Sequence, residues 1–74
     1  MKHLIVIEPT GIGFSTWSPD VPGCVSVGAT PEETQRNMRE AMSFHFDGLR
    51  AEQLPIPASS STFAYVDVQD PSTT

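Results

Sequence analysis

The sequence predicts an α+β domain in which three short strands precede one long helix and a fourth strand follows it. Residues 3–27 contain three short apolar or alternating runs, separated by turns rich in proline and glycine. A helix-start signature at Thr30 then opens a segment with apolar residues at helical spacing. After a loop with two prolines and three consecutive serines, the chain returns to an apolar run.

The first strand is predicted over His3 to Glu8, where positions on both faces are apolar. A strand with two apolar faces is typical of the centre of a sheet, so we expect it to be central. Pro9 to Gly13 has the proline and glycines of a turn, and Phe14 to Trp17 alternates as a second strand. The first two strands should therefore form a hairpin.

Ser18 to Gly23 is predicted as a rigid turn, because Pro19 and Pro22 each fix φ and remove a backbone donor. Cys24 to Val27 is a short third strand in which the two valines share one face. The three strands should form an antiparallel meander.

A helix is predicted from Pro31 to about Gln53. Thr30 is its N-cap, proline occupies the first helical position, and Glu33 is placed to close a capping box. At about 100° per residue, one side collects the apolar residues that should pack on the sheet: Met38, Ala41, Met42, His45, Phe46 and Leu49. Phe44 falls outside this arc, either as an ordinary exposed aromatic residue or as a contact for another chain.

Phe63 to Val68 is predicted as the fourth strand, again apolar on both faces. A right-handed crossover through the helix would set it parallel to the first strand, giving a βββαβ order and the sheet order 3-2-1-4. Residues 1–68 would form one domain, and residues 69–74 a polar C-terminal tail.

One helix covers only one face of such a sheet, yet the first and last strands are apolar on both faces. We therefore expect a homodimer or a larger homo-oligomer. The apolar residues predicted for its interface are Phe44, Phe63 and Tyr65.

Composition narrows the functional classes. Nine acidic and four basic residues give a net charge of −5, which disfavours direct nucleic acid binding and suits a basic protein partner. The single cysteine excludes an intramolecular disulfide. The apolar run near the N-terminus is too short to span a membrane, and we expect a soluble cytoplasmic protein.

Two motifs carry a family resemblance: Pro19-Asp20-Val21-Pro22-Gly23-Cys24 and Gly28-Ala29-Thr30-Pro31-Glu32-Glu33. They resemble the HicB family of bacterial antitoxins, and the likeness continues to Pro55-Ile56-Pro57, so it covers most of the chain. The resemblance implies a partial ribonuclease H-like fold. It also implies binding to a small basic toxin that cleaves messenger RNA, whose active site the antitoxin covers.

Family members often carry a C-terminal DNA-binding module. Here the chain stops six residues after the predicted last strand, so we expect no such module and no autonomous operator binding. The leading hypothesis is a toxin-neutralising antitoxin. The alternative is an orphan oligomeric protein-interaction domain without a toxin partner, which would need the same fold and the same apolar surfaces.

Four residues are candidates for partner recognition: Trp17, Asp20, Glu32 and Glu33. Tryptophan is enriched at binding hot spots, although a core or oligomer role for Trp17 is favoured. Asp20 has an alternative role as a cap for the proline turn, and the glutamates have one as partners of the helix dipole.

An enzyme is not expected. A ribonuclease H-like nuclease needs carboxylates close enough to share metal ions, and the candidates would be Glu8, Glu40 and Asp67 or Asp70. The helical projection turns Glu40 away from the sheet. His3, His45 and Cys24 lack metal-site spacing, so we expect no catalytic residue, no metal and no cofactor.

Overall fold

The structure, a computed structural model, describes residues 1–69. Three strands, β1 (Val6–Pro9), β2 (Phe14–Trp17) and β3 (Val25–Gly28), precede one helix, α1 (Pro31–Ala51). Both strand pairs are antiparallel and the sheet order is β1-β2-β3. The predicted α+β class, meander and single helix are thereby confirmed.

The turns fix the strand register. In the first turn, the Thr10 N–H donates to the carbonyl oxygen of Gly13 at 2.8 Å, and the Thr10 hydroxyl accepts from the Gly13 N–H at 3.0 Å. In the second, Val21 is fully buried and Gly23 adopts a left-handed φ of 83°, which a residue without a Cβ tolerates. The second strand has the predicted bounds, and β3 is shifted by one residue.

β1 is shorter than predicted and begins at Val6 because its ladder starts opposite Trp17. The chain after Trp17 turns away and offers no strand to pair with residues 3–5. The Ser18 hydroxyl donates instead to the Leu4 carbonyl oxygen at 2.7 Å. The expectation that the first strand is central was wrong for residues 1–69, where β1 has a neighbour on one side only.

α1 begins as predicted. The Thr30 hydroxyl accepts from the Glu33 N–H at 3.1 Å, and the Glu33 carboxylate accepts from the Ala29 N–H at 3.0 Å. The helix ends at Ala51, slightly earlier than predicted, because Gln53 turns left-handed at φ 58°. The Leu54 N–H then closes the end on the Leu49 carbonyl oxygen at 2.9 Å.

The core lies between α1 and one face of the sheet. Met38, Met42 and Phe46 are its buried helical residues, and Val21 and Cys24 complete it from the second turn. The predicted apolar side of the helix is therefore the side that packs. α1 lies mainly over β3 and least over β1.

The predicted fourth strand is not formed: residues 52–69 contain no strand. Phe63 to Val68 runs past the start of β1 with most of its apolar side chains exposed. An apolar run favours extended structure but does not specify a partner, and nothing within residues 1–69 covers its outer side. The sheet order 3-2-1-4 thus holds only for its first three strands. Asp70 and residues 71–74, most of the predicted polar tail, lie outside the described residues.

Candidate partner-binding surface

The face of the sheet opposite α1 carries an apolar row. The strand register aligns Val6, Trp17 and Val25 across the three strands, so their side chains point to the same side. Glu8, Ser15 and Val27 form the next row on that side. We call these two rows the open face.

The apolar side chains of the open face are exposed to solvent. Val25 and Val27 are 67% and 66% exposed, and Trp17 is 42% exposed. Scattered apolar residues are normal on a protein surface, whereas these form a contiguous row.

Trp17 is held in place by a polar contact. Its indole Nε1–H donates to a carboxylate oxygen of Glu8 at 2.6 Å, across the β1–β2 pair. This charge-assisted bond orients the ring on the sheet and leaves part of it accessible. The tryptophan is therefore neither a core residue nor a freely rotating one.

Asp20 is engaged by the C-terminal segment. Its carboxylate accepts two N–H and two hydroxyl bonds from Ser60 and Ser61, at 2.7 to 3.1 Å. These bonds, those of Ser61 foremost, lower the pKa of Asp20 from 3.8 to about 2. The carboxylate therefore stays ionised at neutral pH while tying residues 60–61 to the proline turn.

The two glutamates at the start of α1 differ in their contacts. Glu33 closes the capping box and so has a structural role, whereas Glu32 is exposed on the first turn of α1. Both lie at the Gly28 end of the sheet, and Asp20 lies beyond the Trp17 end. The structure thus separates the predicted partner residues: Trp17 lies on the open face, the glutamates lie at one end of the sheet, and Asp20 lies beyond the other.

The predicted oligomer residues lie in two places. Phe44 is 82% exposed on α1 and lines a shallow groove with Cys24 and Val25. Phe63 and Tyr65 are also exposed, and their rings meet edge to face with centroids 6.0 Å apart. The structure does not bring Phe44 together with this aromatic pair.

A match to a protein-family model identifies the family of this chain. Residues 3–72 match the model of the HicB-like antitoxin of bacterial toxin-antitoxin systems. The chain belongs to the HicB-like antitoxin family.

Individual relatives agree with this assignment. The HicB-like chain is 37% identical over 67 residues to an uncharacterised 14.9 kDa protein of Haemophilus phage HP1, an alignment that covers 90% of this chain and 50% of the phage protein. It therefore spans half the length of that relative. It is 33% identical over 64 residues to a UPF0150 protein of Helicobacter pylori, covering 85% of this chain and 89% of the relative.

A solved structure shares the fold. The HicB-like chain superposes on a chain from the HicA3 and HicB3 toxin-antitoxin complex with a TM-score of 0.65 and 31% sequence identity. The match covers 80% of this chain and 72% of the other.

The carboxylates considered for a nuclease are not brought together. Glu8 is bound to Trp17, and Glu40 lies exposed on the outer side of α1. Within residues 1–69, no three histidine, cysteine or acidic side chains are close enough to hold a metal ion. Asp70 lies outside that range.

The histidines and the cysteine of this HicB-like chain, the residues considered as metal ligands, make packing or hydrogen-bond contacts. One ring nitrogen of His3, Nε2, lies 2.8 Å from the Pro57 carbonyl oxygen, and His45 packs near Phe46 with ring centroids 6.1 Å apart. Cys24 is buried, and burial raises the pKa of its thiol, which disfavours the nucleophilic thiolate. The part of the chain that the structure describes also has no helix with the length and apolarity of a membrane span.

Three contacts were missed by the sequence reasoning. They are the Trp17–Glu8 bond, the four bonds of Asp20 with the serines, and an Asn37 side-chain N–H donated to the Val27 carbonyl oxygen at 2.8 Å. The first required the exact hairpin register, and the second joins residues 40 positions apart. The run of serines beside the prolines was the only signal for the second.

Proposed function

We propose that this chain is an antitoxin that binds a small basic, mRNA-cleaving toxin and blocks its active site sterically. The observation that carries the proposal is the family match over residues 3–72, and the likeness to a chain from a toxin-antitoxin complex supports it. Steric inhibition needs no metal, cofactor or catalytic residue. We place the pair in the cytoplasm, where its messenger RNA substrate is.

The open face is the proposed toxin-binding surface. An apolar centre that is accessible and held by a rigid sheet suits a protein interface, because little side-chain entropy is lost on binding. Trp17 supplies the anchor, since its ring is already oriented by Glu8. Val25 and Val27 supply the apolar surface beside it.

Acidic residues lie on the open face and near both ends of the sheet. Glu8 lies on the open face, Glu32 and Glu33 lie at one end of the sheet, and the ionised Asp20 lies beyond the other. A basic partner would be attracted to this distribution and oriented by it, mainly through the rate of association. Raised salt should therefore slow binding more than it speeds dissociation.

The test is co-expression with any small basic protein encoded beside this chain, scoring growth and co-purification. We expect the wild-type chain to restore growth and to form a stable complex. Trp17→Ala should weaken the complex by about 2 kcal/mol of binding free energy or more, the range of an interface hot spot. Val27→Ser should weaken it less, in the same direction.

Ile12→Ser is the matched control. Ile12 is fully exposed at the tip of the β1–β2 turn, away from the open face, so this substitution should leave binding unchanged. Circular dichroism of each variant would establish that it is folded. If the neighbour stays toxic and unbound, neutralisation fails and the orphan interaction domain becomes the better account.

A further inference from the structure

Trp17 and Glu8 together form an aromatic surface with a charged edge on the open face. The two residues are diagonal neighbours on β2 and β1, and the bond of 2.6 Å between their side chains holds the indole ring across the strand pair. Because the ring is fixed at its edge and is 42% exposed, part of its π surface is accessible to another molecule. A group that lies on this ring also lies beside the Glu8 carboxylate.

The charge of Glu8 is not balanced by another residue of the domain. The bond to Trp17 uses one carboxylate oxygen, Oε1, and the other, Oε2, has no hydrogen-bond partner within residues 1–69. The one ion pair within that range joins Arg50 to Asp47, so Glu8 has none. A carboxylate in this position can accept a cation from outside the chain.

The four basic residues of the chain lie elsewhere. Arg36, Arg39 and Arg50 are on α1, which packs on the other face of the sheet. Lys2 lines a groove beside α1 together with Arg39 and Arg50. The open face therefore presents a carboxylate and an aromatic ring without a cation of its own, and a positively charged partner complements it.

The chemistry of this pair fits an arginine side chain. A guanidinium group is planar, stacks on aromatic rings and donates N–H groups to a carboxylate. A guanidinium on the Trp17 ring would pair with Oε2 of Glu8 at the same time, which the compact and strongly hydrated ammonium of lysine does less well. Val6 and Val25 flank Trp17 in the same row, and apolar neighbours that exclude water strengthen an ion pair.

We infer that Trp17 and Glu8 form a binding site for one arginine side chain of a protein partner. The partner would be the basic toxin, and to that extent the inference rests on the proposed function. The ring supplies the stacking surface, and the carboxylate supplies the charge. One such polar contact in an apolar surface would fix the orientation of the bound partner.

The first test uses a small probe and needs no toxin. Trp17 is the only tryptophan of the chain, so its N–H gives the only indole signal in a proton-nitrogen correlation NMR spectrum. Titration with N-acetyl-arginine amide should shift this signal saturably, with a dissociation constant in the millimolar range. The citrulline derivative has nearly the same shape without the charge and should bind about fivefold more weakly. The lysine derivative should also bind more weakly than the arginine derivative.

Glu8→Gln is the variant that isolates the charge. Glutamine keeps a carbonyl oxygen for the indole N–H, so the ring should stay oriented, whereas the preference for arginine over citrulline should disappear. Glu32→Gln is the matched control, since it removes an exposed carboxylate at the start of α1 and should leave the titration unchanged. Equal binding of the arginine and citrulline derivatives by wild type would overturn the inference. So would an unchanged preference for arginine in Glu8→Gln.

The toxin complex separates this inference from the proposed function. Glu8→Gln should weaken binding of the toxin by about tenfold, because an arginine of the toxin would lose its charged partner. A Glu8→Gln complex as tight as that of wild type would overturn the inference and leave the antitoxin function standing. Selective arginine binding by a chain that binds no toxin would have the opposite meaning, because the arginine site would stand and neutralisation would fail.

Discussion

The two sides of β3 contrast: the side that α1 covers is polar or small, and the side that it leaves open is apolar. On the covered face, β3 contributes Ser26 and Gly28 beneath α1, whereas its valines, Val25 and Val27, point to solvent. On β2, Thr16 is buried and Trp17 is partly exposed. On β3, the more apolar side is therefore the one that the domain leaves open, whereas Ile7 and Phe14 keep the covered side apolar on β1 and β2.

Close packing of the helix explains the covered face. A Cβ on Gly28 would lie 2.5 Å from the Thr34 hydroxyl oxygen and 2.7 Å from the Thr34 backbone nitrogen. Small residues are needed where the start of α1 approaches the strand, and larger apolar side chains would not fit. The open face has no such constraint, and its apolar row fits the binding surface proposed above.

The largest expected difference between the two faces is the loss of stability when an apolar side chain is truncated. Met38→Ala should lower the free energy of unfolding by about 2 to 5 kcal/mol, because Met38 is 1% exposed and a cavity would remain. Val25→Ala should change it by about 0.5 kcal/mol or less. Urea denaturation at a concentration where the chain is monomeric measures both.

Equal losses of unfolding free energy in Met38→Ala and Val25→Ala would contradict this difference between the two faces. That result would mean that Val25 is covered in the folded chain, and the open face could no longer serve as a free binding surface.

The next effect concerns the fit beneath the helix. Gly28→Ala should lower the free energy of unfolding by about 1 to 3 kcal/mol, because the new Cβ would force Thr34 and its backbone to move. Gly11→Ala is the control, since a Cβ there meets no atom within 4 Å. A Gly28→Ala variant as stable as wild type would show that α1 can shift at little cost, and the argument for small residues would fail.

The smallest effect concerns the end of the sheet at Asp20. Because the folded-state pKa of Asp20 is lowered to about 2, ionisation adds stability above about pH 4, and this is lost as pH falls from about 4 toward 2. In Asp20→Asn that pH-dependent contribution should be absent, so the two unfolding free energies should converge at low pH. Denaturation series between pH 2 and 6 test this.

Ser61→Ala should weaken the same pH dependence, since Ser61 makes the largest contribution to the lowered pKa. Ser59→Ala should not, because Ser59 is exposed and its hydroxyl has no hydrogen bond within residues 1–69. Identical pH profiles for both serine variants would remove the serine bonds as the cause.

The candidate site was only partly predictable. Trp17, Asp20 and the glutamates were predicted from their residue types, but the sequence could not tell that the Asp20 carboxylate would be bound by serines about 40 residues away. It also did not identify Val25 and Val27 as part of a surface. That grouping depends on the register of three strands, which a shift of one residue would invert.

The sequence by itself determined the local elements. Pro19 and Pro22 fix a turn, and Thr30, Pro31 and Glu33 fix the start of α1, because these effects act within a few residues. Within residues 1–69, the tertiary structure alone decided which face of the sheet α1 covers, that β1 lies at an edge, and that Phe63 to Val68 forms no strand. Those outcomes depend on the close approach of distant segments, and an apolar run carries no information about the surface that will cover it.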